Sequence, residues 1–127
     1  MSAQDNNAHI KVSNLKLAYG DFLIQENLNF EIRRGEIFTI MGGSGCGKST
    51  LLKPMIGLYE PAAGDIYYGG RSFNKADEAG RFELRREWGI TYQSGGLFSA
   101  MTLAENTALP LQQYTSLGSN EIADIVA

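Results

Sequence analysis

Apolar and polar positions alternate in two early stretches of the chain. Ile10 and Val12, then Leu15 and Leu17, are separated by polar residues, which predicts a half-buried strand. The slip of phase at Ser13-Asn14 predicts a bulge within it. Leu28, Phe30 and Ile32 alternate again and run into Arg33-Arg34-Gly35-Glu36, a turn by composition. Ile37 to Met41 is almost continuously apolar, the pattern of a parallel strand covered on both faces. A glycine-crowded stretch follows, and Leu51, Leu52, Met55 and Ile56 then recur at helical spacing up to Gly57, a C-terminal stop. Pro54 falls inside that helix, where a proline removes a hydrogen bond at a cost of about 3 kcal/mol; a kink or an early end is expected.

Farther along, "GDIYYGG" at 64–70 reads as a short strand with its turn, and "KADEAGRFELRREW" as a charged, exposed helix interrupted by Gly80. Gly89 to Gln93 reads as another short strand. Thr102 and Glu105 form a capping-box pair, so a helix should start near Thr102 and be kinked or ended by Pro110. Ser119 is expected to cap a further helix carrying Ile122, Ile125 and Val126, and Ala127 falls about two turns into it, as a cut chain would leave it. Residues 1–8 are polar and expected to be a flexible N-terminus.

Composition narrows the class. A chain of 127 residues with 43% apolar and 20% charged positions suits one globular domain. A net charge of −3 and a pI near 5.1 argue against a general grip on nucleic acid, which needs a basic face. No run approaches the roughly 18 apolar residues of a membrane span, and "MSAQDNNAHI" lacks a signal-peptide pattern, so the expected location is the cytoplasm. The single cysteine, Cys46, can form no internal disulfide and has no partners at metal spacing.

The chemistry concentrates in "MGGSGCGKST", residues 41–50. Gly42, Gly47, Lys48 and Ser49 meet the spacing G-x-x-x-x-G-K-[ST], whose chance expectation in this composition is roughly one per cent; a predicted buried strand before it and helix after it favour a phosphate-binding loop over coincidence. Gly42, Gly43, Ser44, Gly45, Cys46 and Gly47 would let backbone N–H groups converge on phosphate oxygens, aided by the dipole of the following helix. Lys48 supplies a point charge for the β- and γ-phosphates of ATP, the Ser49 hydroxyl suits Mg2+, and Thr50 adds a deeper contact. Cys46 reads first as a small residue that fits, although Lys48 and the helix end would also favour its thiolate.

With the loop in place, the chain from about Ile10 onward resembles the ATP-binding subunit of ABC transporters, and that resemblance implies an α/β P-loop NTPase fold, the ABC ATPase core with a mixed sheet and a phosphate-loop helix. "LKLAYGD" is similar to the family's A-loop, which implies that Tyr19 stacks on adenine. "GITYQSGGLFSAMTLAENTALPL" is similar to its Q-loop and the opening of its helical subdomain. That match implies that Gln93 reaches Mg2+ and the attacking water, and that Gly95 to Phe98 lie near a transmembrane permease subunit. Residues 9–93 would then be the first part of the ATP-binding core, and 94–127 the Q-loop with an incomplete helical subdomain. "MGGSGCGKSTLLKPMIGL" with "YQSGGLFSAMTLAEN" is most similar to ATPases of Mla-type lipid transporters, which implies an inner-membrane permease, a second ATPase subunit and phospholipid as cargo.

The family's signature motif, Walker B acids and switch histidine have no counterpart here. No acid after the loop follows four apolar residues, and His9, the one histidine, lies upstream. This chain is therefore expected to bind nucleotide better than it cuts it. Its apolar strand at 37–41 would also lack parallel neighbours, leaving apolar surface bare and stability marginal. Two readings stand beside this one: a small P-loop kinase, against which the acid inventory argues, and a non-enzymatic nucleotide-binding module that docks on a permease.

Overall fold

The computed structural model describes residues 8–43 and 47–127. The chain divides into two compact units, 1–87 and 88–127. The expected flexible segment falls mostly on residues 1–7, outside the described residues, and Ala8 already belongs to a strand.

In the first unit, β1 (Ala8–Tyr19) and β2 (Phe22–Arg33) form a long antiparallel hairpin. β3 (Ala63–Tyr68) pairs with the other edge of β1, and the two-residue β4 (Arg71–Ser72) pairs with β3. The order β2-β1-β3-β4 gives a four-stranded sheet whose pairings among the described residues are all antiparallel. The slip of phase read at Ser13-Asn14 is a bulge. Asn14 adopts a φ of 47°, and the register shifts between Val12 and Leu15 against β2 and between Ser13 and Lys16 against β3. An extra residue restores the burial of Val12, Leu15 and Leu17 on one side of the strand.

Two helices follow. α1 (Lys48–Met55) stops one residue after Pro54, and it ends in paired bonds from Gly57 N–H to the Pro54 carbonyl and from Leu58 N–H to the Lys53 carbonyl, the Schellman arrangement. Its Leu51 and Pro54 are buried, as are Ile56 just beyond its end and Ile66 and Tyr68 of the sheet. The Tyr68 hydroxyl donates to the Met55 carbonyl and ties β3 to the end of α1. α2 (Glu78–Arg85) buries Leu84. Gly80 does not interrupt it: it lies in the first turn, where its N–H has no helical acceptor, and the Asp77 side chain accepts it at 2.8 Å.

The strand expected at Ile37–Met41 does not form. Ile37 and Met41 are 95% and 86% exposed, and no strand among the described residues runs beside them. A continuous apolar run becomes a strand only where neighbours complete its backbone bonds. Here Phe38 stacks on Phe30 at 5.2 Å, but no strand among the described residues supplies those backbone bonds.

The second unit holds α3 (Leu103–Tyr114) and α4 (Ser119–Val126), with Ala108 and Ile122 buried. Thr102 caps α3, its hydroxyl accepting the Glu105 N–H at 3.1 Å. Pro110 neither ends α3 nor stops it short of Tyr114; it forfeits one bond in a helix otherwise well capped. Ser119 is the first residue of α4 and Gly118 its cap, with no side-chain bond there. The strand expected at Gly89–Gln93 reduces to a single bridge between Tyr92 and Gly95, since its chain folds back on itself within four residues.

Candidate functional site

The glycine loop closes at Gly47, which caps α1 with φ 94° and ψ 10°. A Cβ there would be strained by the backbone, which favours glycine, and would stand 3.1 Å from the Ile24 side chain, a tight contact that Ile24 would have to relieve. The first helical bond runs from Leu51 N–H to the Gly47 carbonyl at 2.9 Å, and no side chain among the described residues caps the helix. Lys48 and Ser49 are exposed on this first turn and Thr50 is half-buried. The Lys48 Nζ donates to the Gly42 carbonyl, spanning the loop from its end to its beginning. Gly43 is exposed, and Ser44, Gly45 and Cys46 lie outside the described residues. A helix start without a cap among the described residues, with a lysine across it and a hydroxyl beside it, has the donors and the charge to accept an anion of phosphate type.

Tyr19 ends β1 beside the Gly20-Asp21 turn and is 45% exposed. Two residues outside the sequence-based site hold it. The Tyr59 ring lies 5.4 Å from the Tyr19 ring at 57°, and the Tyr59 hydroxyl donates to the Ala18 carbonyl. The Lys53 Nζ donates to the Tyr19 hydroxyl at 3.3 Å. Lys53 stands one helical turn beyond Ser49 on α1, so Tyr19 is attached to the helix that carries the loop's lysine and serine. The only sequence signal for this was that spacing.

In the second unit, Gln93 is exposed at the tip of the tight turn in which Gly95 N–H bonds to the Tyr92 carbonyl at 2.9 Å. Gly95 and Gly96 have φ of 95° and 70°, and Leu97 and Phe98 beyond them are 60% and 62% exposed. Asn106 of α3 binds the Phe98 backbone through both its N–H and its carbonyl.

Residues 25–126 match the ABC transporter family, a span that includes the loop, the Gln93 turn and both helices of the second unit. This chain belongs to the ABC transporter family. It is 38% identical over 117 residues to the intermembrane phospholipid transport system ATP-binding protein MlaF of Haemophilus influenzae, covering 92% of this chain and 44% of that protein. It is also 38% identical to the probable ribonucleotide transport ATP-binding protein mkl of Mycobacterium leprae, covering 92% of this chain and 34% of that one. The chain thus spans less than half the length of these curated relatives. Among solved structures it superposes on the dimeric ATP-binding cassette MJ0796, in a post-hydrolysis state with ADP and Pi, at a TM-score of 0.81 and 30% identity, over 92% of this chain and 53% of that one. The fold is that of an ABC ATPase cassette of the P-loop NTPase class, and the family match sets the small-kinase reading aside. Among the described residues, no helix of this ABC family member is long and apolar enough to cross a membrane.

Proposed function

We propose that this chain is the ATP-holding portion of an ABC transporter ATPase that energises phospholipid movement in the bacterial envelope, acting on the cytoplasmic side of an inner-membrane permease. The observation that carries the nucleotide reading is the attachment of Tyr19, through Lys53, to the helix that begins with Gly47, Lys48 and Ser49. Adenine would lie on Tyr19. The triphosphate would lie on the loop from Gly42 to Gly47, with Ser44, Gly45 and Cys46 contributing, and on the N–H groups that open α1. On ATP binding, Lys48 would exchange its Gly42 carbonyl for phosphate oxygens, a gain in charge pairing for the same donor. The first turn, without a side-chain cap among the described residues, and the exposed Ser49 hydroxyl fit Mg2+-nucleotide; the role proposed for Gln93, reaching the metal and the attacking water, rests on the resemblance of residues 89–111 to the family's Q-loop alone. Bound Mg2+ neutralises charge that develops on the transferring phosphoryl oxygens. Leu97 and Phe98, exposed on an ordered turn, are the surface offered to the permease, and a second ATPase subunit would face the nucleotide from the other side.

These 127 residues are proposed to bind without useful turnover. Five of the acids that follow the loop already serve the fold: Glu60, Glu83 and Glu87 pair with Arg81, Arg86 and Arg71, Asp65 is buried on Ser72, and Asp77 caps α2. Phospholipid as cargo rests on the Mla-type resemblance of residues 41–58 and 92–106.

A fluorescent ATP analogue, titrated beside a phosphate-release assay, tests the proposal. The expected result is binding that weakens about tenfold or more in Lys48→Ala, with phosphate release at the blank level. Mg2+-dependent release that disappears in Lys48→Ala would overturn the claim of binding without turnover. Co-purification with an Mla-type permease, lost in Leu97→Asp and Phe98→Asp, tests the docking surface, and capture that survives both changes would remove it.

A further inference from the structure

Resting on the reading of Tyr19 as the adenine platform, we propose that Lys53 and Tyr59 are positioning residues that fix the face and height of the Tyr19 ring, and so set how strongly this site prefers a nucleotide to a bare phosphate chain.

A tyrosine at the end of a hairpin strand, next to a glycine turn, has several staggered rotamers open to it. Stacking a base requires one of them, and an unheld ring would lose affinity each time it had to be ordered. Three contacts remove that freedom. The Tyr59 hydroxyl on the Ala18 carbonyl holds the backbone just before Tyr19. The Tyr59 ring, 5.4 Å away and tilted by 57°, packs against the Tyr19 ring and limits the rotamers open to it. Lys53 fixes the far end: its Nζ is 3.3 Å from the hydroxyl oxygen but 5.9 Å from the ring centroid. Those two distances place the ammonium beyond the ring's edge and not over its centre, so it anchors without covering a face. Held in this way, Tyr19 is still 45% exposed and accessible to a ligand.

Lys53 matters for a second reason. It belongs to α1, as do Lys48 and Ser49, so one rigid helix sets both the phosphate contacts and the position of the aromatic ring. The base-to-phosphate span of a ligand is thereby measured against a single element. Tyr59 is placed by the same helix, because Leu58 N–H closes the end of α1 on the Lys53 carbonyl immediately before it. Loss of either residue should therefore be felt by ligands that carry a base and ignored by those that do not.

Competition of ATP and of inorganic tripolyphosphate against a ribose-labelled ATP analogue separates the two, using the 127-residue chain. Lys53→Met and Tyr59→Phe are expected to weaken ATP about three- to tenfold, the scale of one lost hydrogen bond or aromatic contact, and to leave tripolyphosphate within about twofold. Lys53→Arg, which keeps a cationic donor, should recover most of the ATP affinity. In a Tyr19→Ala background both changes should fall silent, since the residue they act through is gone. Equal weakening of ATP and tripolyphosphate by Lys53→Met, an exposed position whose change leaves the core intact, would overturn the proposal. So would unchanged ATP affinity in Lys53→Met and Tyr59→Phe when Tyr19→Ala itself weakens ATP. If Tyr19→Ala leaves ATP unaffected, the adenine reading itself falls and takes this proposal with it, a result distinct from the other two.

Discussion

Asn106 holds the peptide of Phe98 from both ends: its carboxamide oxygen accepts the Phe98 N–H at 2.8 Å, and its NH2 donates to the Phe98 carbonyl at 3.1 Å. The same NH2 reaches the carbonyls of Met101 and Thr102 at 3.3 and 2.9 Å. One side chain of α3 thus does for the loop what a neighbouring strand does in a sheet, and an exposed Phe98 is presented by ordered backbone. Asn106→Ala removes all four contacts; since one NH2 with two hydrogens serves three of the carbonyls, they amount to about three bonds of about 1 kcal/mol net or less. Amide exchange of residues 95–102 is expected to accelerate about tenfold or more while exchange in β1 and β3 stays unchanged. Equal protection in the variant would show that the loop is held by other contacts.

Burial pushes the Tyr68 phenol well above its ordinary range. A raised pKa in the folded state means that the folded protein keeps its proton where the unfolded chain has lost it. This contribution is complete below about pH 10, the unfolded value, and is lost as pH rises beyond it. Urea midpoints should therefore fall on the alkaline side, with a slope approaching about 1.4 kcal/mol per pH unit from this group. Tyr68→Phe should flatten that limb while lowering stability at pH 7 by about 1 kcal/mol, through loss of the bond to Met55. An alkaline limb as steep in the variant would assign it to another group.

At Gly64, φ is +85° and a Cβ would stand 2.3 Å from the Asn14 carbonyl oxygen and 2.6 Å from the Leu15 Cα. Both are backbone atoms at the bulge, and neither can swing aside. Gly64→Ala is expected to cost about 3 kcal/mol or more. Gly69→Ala, with a φ of +57° and open space around it, should cost only about 1 kcal/mol. Chemical denaturation of the pair separates steric clash from backbone preference, and equal losses would refute the clash.

Arg81 and Glu60 form an ion pair at 2.5 Å whose two halves are unequal. The Arg81 side chain is 14% exposed, donates to the carbonyls of Phe73 and Asn74 at 3.1 and 3.0 Å, and lies 5.1 Å from the Phe73 ring centre, whereas Glu60 is 65% exposed. Glu60→Gln should cost less than about 1 kcal/mol, as exposed pairs do. Arg81→Met should cost about 2 kcal/mol, because two carbonyls lose their donor. Thermal melts that rank the two changes in the opposite order would assign the stabilisation to the charge pair itself.

Several elements were legible because their causes are local. The break in alternation at Ser13-Asn14 announced the bulge, the Thr102–Glu105 spacing announced the start of α3, and Gly57 announced the end of α1. Local reasoning missed by one position at Ser119, where Gly118 is the cap, and it overstated Gly80 and Pro110, since each forfeits at most one bond that the surrounding turn can spare. It failed outright at Ile37–Met41, because a strand is a relation between segments and an apolar run carries no information about whether a partner is present.

The sequence alone carried the chemistry proposed for the site: the spacing of Gly42, Gly47, Lys48 and Ser49 is that of a phosphate-binding loop, since backbone conformation, charge and hydroxyl all follow from residue type over a few positions. Only the tertiary structure decided how the Tyr19 ring is held. Lys53 lies 34 positions away, Tyr59 pins Ala18 across 41, and contacts at such separations depend on where β1 and the end of α1 come to rest against each other. Packing sets that, and no local pattern encodes it.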